Sequence, residues 1–235
     1  MSNLCLHVDS SIALLDFVKQ LNTNWVLAPI YRKGASMRSG KEATGKNPLE
    51  VAFDRDLGPA DVALQLEKNS NLSAVGLFTG RKGRGIVILD VDANLSALKR
   101  KWGDSIKGAP VATSTKRNAA KYIFTVPEEL WGEVSGFGHG EEHNAGYEVL
   151  WGQQGLIYGE YPGSKCGKYP AGFYGFEGDP EAVPEAPEWL LAYMKDSYRG
   201  KQKTDEGKKD PRYGMRSTEE LQLIVKNCLS VIQPQ

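Results

Sequence analysis

The chain has 235 residues, in which 29 lysines and arginines balance 29 aspartates and glutamates. This balance argues against a purely electrostatic nucleic-acid binder, although it is compatible with a local basic groove. Residues 1–11 lack a signal-peptide pattern and no run of about 18 apolar residues occurs, so we expect neither export nor a membrane span. The three cysteines are far apart, which favours reduced thiols over disulfides or a zinc finger. We therefore predict a cytoplasmic protein.

The first part of the chain alternates between helix and strand patterns. Apolar residues at helical spacing predict helices at 10–21 and 58–69. Short apolar runs predict strands at 24–30 and 75–79. The polar, basic and glycine-rich residues 32–47 are expected to form a loop between them.

The middle of the chain is rich in strands. Helices are predicted before and after them, at 93–102 and 187–198. Strand composition occurs at 111–115, 122–126, 147–151, 155–158 and 173–176. A sheet accompanied by a few helices indicates an α+β domain.

The C-terminal part is expected to lie outside this domain. Residues 199–216 are polar and basic with several glycines, which is typical of a linker. A capping-box pattern then precedes an amphipathic helix at 221–231. Because a lone terminal helix has little to pack on, we expect residues 217–235 to be the truncated beginning of a further helical domain.

The strongest chemical signal is the apolar run 85–92, which ends in two aspartates one residue apart. Its β-branched residues predict a buried strand, and side chains alternate across a strand, so Asp90 and Asp92 leave it on the same face. Two carboxylates at the end of a buried strand need compensation, and hard cations such as Mg²⁺ or Mn²⁺ take carboxylate oxygens. The alternative is that these aspartates cap a following helix.

A two-metal site usually needs a third carboxylate, and Glu148 is the best candidate. It lies inside the predicted strand 147–151, where an acidic residue facing the two aspartates across the sheet would be explained. The alternative is that Tyr147, Val149 and Trp151 face the core while Glu148 faces water.

A basic turn between two predicted strands, at 113–124, is a candidate for binding phosphate. Small hydroxyls together with lysine and arginine suit triphosphate oxygens, although a solvated basic hairpin is the alternative. The glycine-rich basic turn 80–85 is another phosphate candidate, and Lys46 and Arg38 in the loop 32–47 are weaker ones. The candidate residues in the turn at 113–124 are Ser114, Thr115, Lys116 and Arg117.

Two further patterns receive no functional assignment. The His-x-x-Glu-His pattern at 139–143 is similar to that of zinc peptidases, which place both histidines on one helix face. The surrounding glycines predict a loop there instead. Aromatic side chains that could stack on bases are numerous, but most aromatics in strands belong to the core.

Taken in chain order, these motifs resemble the primase-polymerase (prim-pol) domain of the archaeo-eukaryotic primase superfamily. The similarity covers residues 24–194 and is greatest to the bifunctional primase/polymerases of phages, plasmids and cyanobacterial mobile elements. The strand that ends in Asp90 and Asp92 resembles motif I of the family, and the strand around Glu148 resembles motif III. The segment 113–124 lies where motif II belongs.

The resemblance implies an RRM-like catalytic sheet at 73–198 and a smaller N-terminal α/β unit at 1–72. It also implies a DNA primase and polymerase that uses two Mg²⁺ or Mn²⁺ ions. The implied substrates are a single-stranded DNA template and NTPs or dNTPs, and the implied partner is a helicase module. The histidine of motif II is absent, and Lys121 stands in its approximate place. The implied metal ligands are Asp90, Asp92 and Glu148. The implied nucleotide-binding residues are Lys46, Ser114, Thr115, Lys116, Arg117 and Lys121.

Two other functions stay open at the level of sequence. A degenerate prim-pol fold could bind DNA or a replication partner without catalysis, and the missing histidine supports this alternative. An Asp-x-Asp glycosyltransferase would use the same pair of aspartates to bind a metal and a nucleotide-sugar, with no need for a template.

Overall fold

The computed structural model describes residues 10–115, 118–137, 146–163 and 170–207. Within these ranges the strands are β1 (Leu27–Tyr31), β2 (Leu72–Phe78), β3 (Ile86–Val91), β4 (Val111–Ser114), β5 (Ala120–Thr125), β6 (Tyr147–Leu150), β7 (Gln154–Tyr161) and β8 (Gly172–Glu177). The helices are α1 (Ser10–Lys19), α2 (Val51–Asp54), α3 (Pro59–Lys68), α4 (Leu95–Ile106) and α5 (Glu188–Gly207), and a 3-10 turn covers Glu128–Leu130.

The eight described strands form one antiparallel sheet in the order β1-β2-β7-β8-β4-β5-β3-β6. With the helices, this arrangement confirms the predicted α+β class. The short helix α2 was not predicted, because its single turn is too brief to show a helical period.

The chain divides into two compact units, Met1–Tyr198 and Arg199–Gln235. The helix predicted at 187–198 is longer than expected, since α5 continues to Gly207 over the first part of the predicted linker. The predicted helix at 221–231 lies outside the described residues.

A split βαβ unit forms the part of the sheet that carries the acidic motif. β3 and β4 both pair antiparallel with β5, so they run parallel to each other on its two sides, and α4 connects them. β6 pairs with the other edge of β3, which gives the order β4-β5-β3-β6. This order is that of an RRM-like sheet, as predicted.

The N-terminal strands extend the same sheet. β1 pairs with β2, and β2 pairs with β7, so the N-terminal strands belong to the same sheet as the strands that carry the acidic motif. α3 begins where Pro59 occupies its first turn and the Asp61 carboxylate accepts a hydrogen bond of 3.2 Å from the Gly58 N–H. Helices α1 and α3 pack against each other and against the first two strands.

The two faces of β3 belong to two separate cores. Ile88 shares a core with Leu77 of β2 and Ile157 of β7. Leu89 points the other way and shares a core with Leu190 and Met194 of α5. These side chains are almost fully buried, and each burial stabilises the fold by about 1.5–3 kcal/mol. Because Asp90 is two residues after Ile88, it faces the same side as Ile88.

The sheet curls toward that side. A Cβ at Gly155 in β7 would lie 2.9 Å from Leu150 Cδ1 and 3.0 Å from Ile88 Cδ1, although β7 pairs with neither β6 nor β3. Strands that are distant in the sheet therefore approach each other across its concave side. We call this concave side the hollow. Ile88, Leu150 and Gly155 line it where β7 approaches β3 and β6.

Gly159 allows the closest backbone approach between β7 and β2, and we predict that Gly159→Ala destabilises the fold. Its φ is +108°, and a Cβ there would lie 2.4 Å from Ala74 Cα. Urea unfolding should show a loss of about 2 kcal/mol or more. The control is Gly103→Ala in α4, where a Cβ meets open space, and helix propensity should add about 0.5–1 kcal/mol. An unchanged urea midpoint for Gly159→Ala would contradict this close approach of β7 to β2.

Candidate metal centre and adjoining cavity

The register of three strands places Asp90 between a lysine and a glutamate. Asp90 in β3 lies directly opposite Lys121 in β5 and directly opposite Glu148 in β6. Residues that are paired in this way carry their side chains on the same face of the sheet. All three side chains therefore face the hollow.

The three predicted metal ligands come together. Carboxylate oxygens of Asp90, Asp92 and Glu148 all lie within 4.8 Å of one another. Asp90 is only 7% exposed, whereas the other two are half-buried and accessible to an ion. Clustered carboxylate oxygens are the donors that hard divalent cations such as Mg²⁺ prefer, so this group could hold a metal.

The two aspartates do not cap the following helix. The N-cap of α4 is Asn94, which adopts a left-handed conformation with φ +62°. The alternative in which the Asp-x-Asp motif serves only to start a helix is therefore wrong. The alternative for Glu148 is right about the core face, since Tyr147 and Val149 are core residues with Trp151 packed against them. Glu148 itself is half-buried and lies beside Asp90 and Asp92.

Two backbone hydrogen bonds hold Asp92 beside the strand that carries Glu148. The N–H groups of Asp92 and Ala93 both donate to the Gly146 carbonyl, at 3.1 and 3.2 Å. Gly146 immediately precedes β6 and has φ +81°, a conformation that favours glycine. The chain leaving β3 is thus tied to the start of β6, which fixes the third carboxylate relative to the first two.

Lys121 is buried and hydrogen-bonds to the Asp90 carboxylate. Burial by itself lowers the pKa of Lys121, but the charge of Asp90, with smaller effects from Tyr174 and Asp92, raises that pKa above its ordinary value. The side chain is therefore an ammonium ion. Its nitrogen also lies 5.5 Å from the centroid of the Tyr174 ring, a distance typical of a cation–π contact.

A cavity of about 160 Å³ adjoins the carboxylates. The rings of Tyr161 and Tyr174 form part of the cavity wall. They meet edge to face, with their centroids 5.6 Å apart. The Lys46 ammonium lies 5.6 Å from the Tyr161 centroid, and the Lys46 carbonyl accepts a hydrogen bond of 3.2 Å from Gln154. The residues that line the cavity are Lys46, Asp90, Lys121, Glu148, Leu150, Gln153, Gln154, Gly155, Leu156, Tyr161 and Tyr174.

The other predicted nucleotide-binding residues occupy different places. Ser114 ends β4 and pairs with Tyr174, so it faces the hollow. The Thr115 hydroxyl accepts a hydrogen bond of 3.2 Å from the Phe173 N–H and so attaches the end of β4 to β8. Lys116 and Arg117 lie outside the described residues. The nucleotide-binding role of the whole set stays a prediction.

The basic turn at 80–85 is not part of this centre. It precedes β3, whereas Asp90 lies near the other end of that strand, about 16 Å away along the backbone. Lys82 in this turn donates to the Phe53 carbonyl at 3.0 Å and pairs with Asp56 at 3.8 Å. The turn therefore contacts α2 and the segment that follows α2. The histidines at 139–143 lie outside the described residues.

Sequence reasoning assigned no role to the cavity residues Gln154, Tyr161 and Tyr174. Alternation along β8 indicates that Tyr174 and Phe176 share a face, but it does not show that this face also carries Asp90. That relation depends on the β4–β8 and β4–β5 registers, which join segments far apart in the chain.

Comparison with known proteins identifies the domain. The family model described as "Bifunctional DNA primase/polymerase, N-terminal" (Prim-Pol) matches residues 18–189. The matched range contains the three carboxylates, Lys46 and Lys121. No match was found among curated proteins. Among the described residues, no helix has both the length and the apolar character needed to cross a membrane.

We predict that Glu148→Gln weakens Mn²⁺ binding about tenfold or more, because it removes one charged oxygen donor from a three-carboxylate group. Electron paramagnetic resonance of free Mn²⁺ measures the dissociation constant without nucleotide or DNA. The matched control, Glu128→Gln on the exposed 3-10 turn, should bind as the unaltered protein does. Equal affinities in the two variants would exclude Glu148 from the metal centre.

Proposed function

The chain belongs to the Prim-Pol family of bifunctional DNA primase/polymerases, and from this premise we propose that it synthesises primers on single-stranded DNA by template-directed nucleotidyl transfer. We propose further that it extends those primers. The observation that carries the proposal is the convergence of Asp90, Asp92 and Glu148 in the hollow. Three clustered carboxylates beside a cavity with two lysines suit a reaction whose substrate is a metal-bound triphosphate.

In the proposed reaction, Asp90, Asp92 and Glu148 would hold two divalent ions, Mg²⁺ or Mn²⁺. The chemistry supplied at this position would be activation of the attacking 3′-hydroxyl and neutralisation of charge on the leaving pyrophosphate. The protein contributes the fixed position of the ligands. Strand register sets Asp90 and Glu148, and the Gly146 carbonyl holds the backbone of Asp92.

The nucleotide would enter the cavity beside the carboxylates. Lys46 is exposed at its edge and carries an ammonium on a flexible stem, which can reach phosphate oxygens as a point charge. Ser114 faces the same hollow from the end of β4. With Thr115, Lys116, Arg117 and Lys121, these residues remain our proposed nucleotide-binding set.

The cellular setting is proposed from the resemblance alone. We expect single-stranded DNA as template, NTPs or dNTPs as substrates, and a helicase module in the same protein or in a partner, within the replication system of a phage or mobile element. Under this organisation residues 1–198 form the prim-pol domain, residues 199–216 connect it onward, and residues 217–235 begin a helical domain.

A degenerate domain that only binds DNA or a replication partner is the second candidate. The specific observation in its favour is Lys121, which occupies the approximate place of the motif II histidine and pairs with Asp90. The intact group of three carboxylates favours catalysis, because a binding module has no need for clustered and mutually repelling charges. Glycosyl transfer loses its support, since the family match identifies a primase/polymerase domain.

Asp92→Ala is expected to reduce primer synthesis by about 10²-fold or more, because it removes a metal ligand. This variant tests the proposal more cleanly than Asp90→Ala, which would leave the buried Lys121 ammonium without its carboxylate and destabilise the fold. The assay is nucleotide incorporation on single-stranded DNA without primer, with Mg²⁺ or Mn²⁺. The control is Asp104→Ala, an exposed residue of α4.

Products that depend on metal and disappear only in Asp92→Ala would establish the primase activity. Full activity in that variant would remove the metal assignment. A folded protein that binds DNA and Mn²⁺ but incorporates no nucleotide, with or without an added primer, would establish the binding module instead.

Lys46→Met is expected to raise the KM for the incoming nucleotide about tenfold, with a smaller change in kcat. The reason is that an ammonium at the cavity edge contributes to binding the triphosphate in the ground state and the transition state alike. Lys41→Met, an exposed residue of the same loop, serves as the matched control. An unchanged KM in Lys46→Met would place the triphosphate elsewhere.

A further inference from the structure

Lys121 directs its charge at a metal ligand. The side chain is only 7% exposed, and its ammonium hydrogen-bonds to the Asp90 carboxylate rather than extending into solvent. Asp90 is itself one of the three grouped carboxylates. The lysine thus occupies a position where its charge reaches the metal centre before any nucleotide is bound.

The surroundings of Lys121 hold this arrangement in place. Backbone pairing fixes Lys121 opposite Asp90 on one side and opposite Ala112 of β4 on the other. The Tyr174 ring lies 5.5 Å from the ammonium.

The charges in the hollow explain why such a lysine matters. Three carboxylates within 4.8 Å repel one another, and Asp90 is too buried for water to screen it fully. One ammonium offsets part of this repulsion without any metal. The same ammonium also repels an incoming divalent cation, so it lowers the affinity of the site for that cation.

We propose that Lys121 is a built-in counterion of the carboxylate group. It keeps Asp90, Asp92 and Glu148 assembled when no metal is bound, and it weakens the binding of divalent metal to the nucleotide-free protein. Its position beside Asp90 makes it a positioning residue for the metal ligands. This inference rests on the metal centre of the proposed function and does not depend on polymerisation.

The first test measures Mn²⁺ affinity without nucleotide or DNA, by electron paramagnetic resonance of free Mn²⁺. Lys121→Met keeps a long apolar stem and removes the charge, and it should bind Mn²⁺ about tenfold or more tightly than the unaltered protein. Lys121→Arg retains the charge and should keep the original affinity. Lys82→Met is the matched control, because Lys82 also has a carboxylate partner and an aromatic contact but lies away from the hollow.

The second test separates this role from a general loss of folding. Without metal, Lys121→Met should unfold at a lower temperature than the unaltered protein, because Asp90 has lost its partner. Mn²⁺ should raise the unfolding temperature of this variant by a larger amount than that of the unaltered protein. If the variant is unfolded without metal, addition of Mn²⁺ should restore its native circular dichroism.

Equal or weaker Mn²⁺ binding by folded Lys121→Met would overturn the inference, as would an unfolded variant that Mn²⁺ fails to restore. Unchanged Mn²⁺ affinity would overturn it even if the KM for nucleotide rose, and Lys121 would then keep only its place in the proposed nucleotide-binding set. These results leave the proposed function intact. If the three carboxylates do not form a metal centre at all, neither Glu148→Gln nor Lys121→Met should change Mn²⁺ binding.

Discussion

The pairing of β3 with β5 and β6 around Asp90 is the constraint on which the rest of the structure depends. It places a buried carboxylate between a lysine and a glutamate in the interior of a sheet. A buried ion is costly unless a partner compensates it, and Lys121 is that partner. A shift of one residue in either register would turn Lys121 or Glu148 to the opposite face, which is packed with apolar side chains.

The curl of the sheet turns this arrangement into a site. One face of β3 packs against α4 and α5, so the strand cannot tilt or slip easily. The other face looks into the hollow, where Gly155 lets β7 approach Ile88 and Leu150 closely. Polar groups thus collect at the open end of a concave surface whose closed end is apolar. Such a surface holds its polar side chains in fixed positions while one side remains accessible to a ligand.

The cavity and the carboxylates are joined by one chain of contacts. Asp90 bonds to Lys121, Lys121 lies over Tyr174, Tyr174 meets Tyr161, and Tyr161 lies beneath Lys46. The two lysines at the ends differ in a way that suits different tasks. Lys121 is buried and held by a carboxylate, whereas Lys46 is exposed at the edge of the cavity. A buried and paired charge suits the positioning of ligands, and an exposed charge suits the capture of a substrate.

The sequence by itself determined the α+β class, most of the strands and helices, and the shared face of Asp90 and Asp92, because these follow from local apolar periodicity and from alternation along one strand. It also indicated Glu148, since an acid between apolar strand residues is unusual. The partner of Asp90 was decided only by the tertiary structure, because Lys121 lies 31 residues away in the chain and register is not a local property. The same holds for the cavity around Tyr161 and Tyr174, which exists because distant strands pair and the sheet curls.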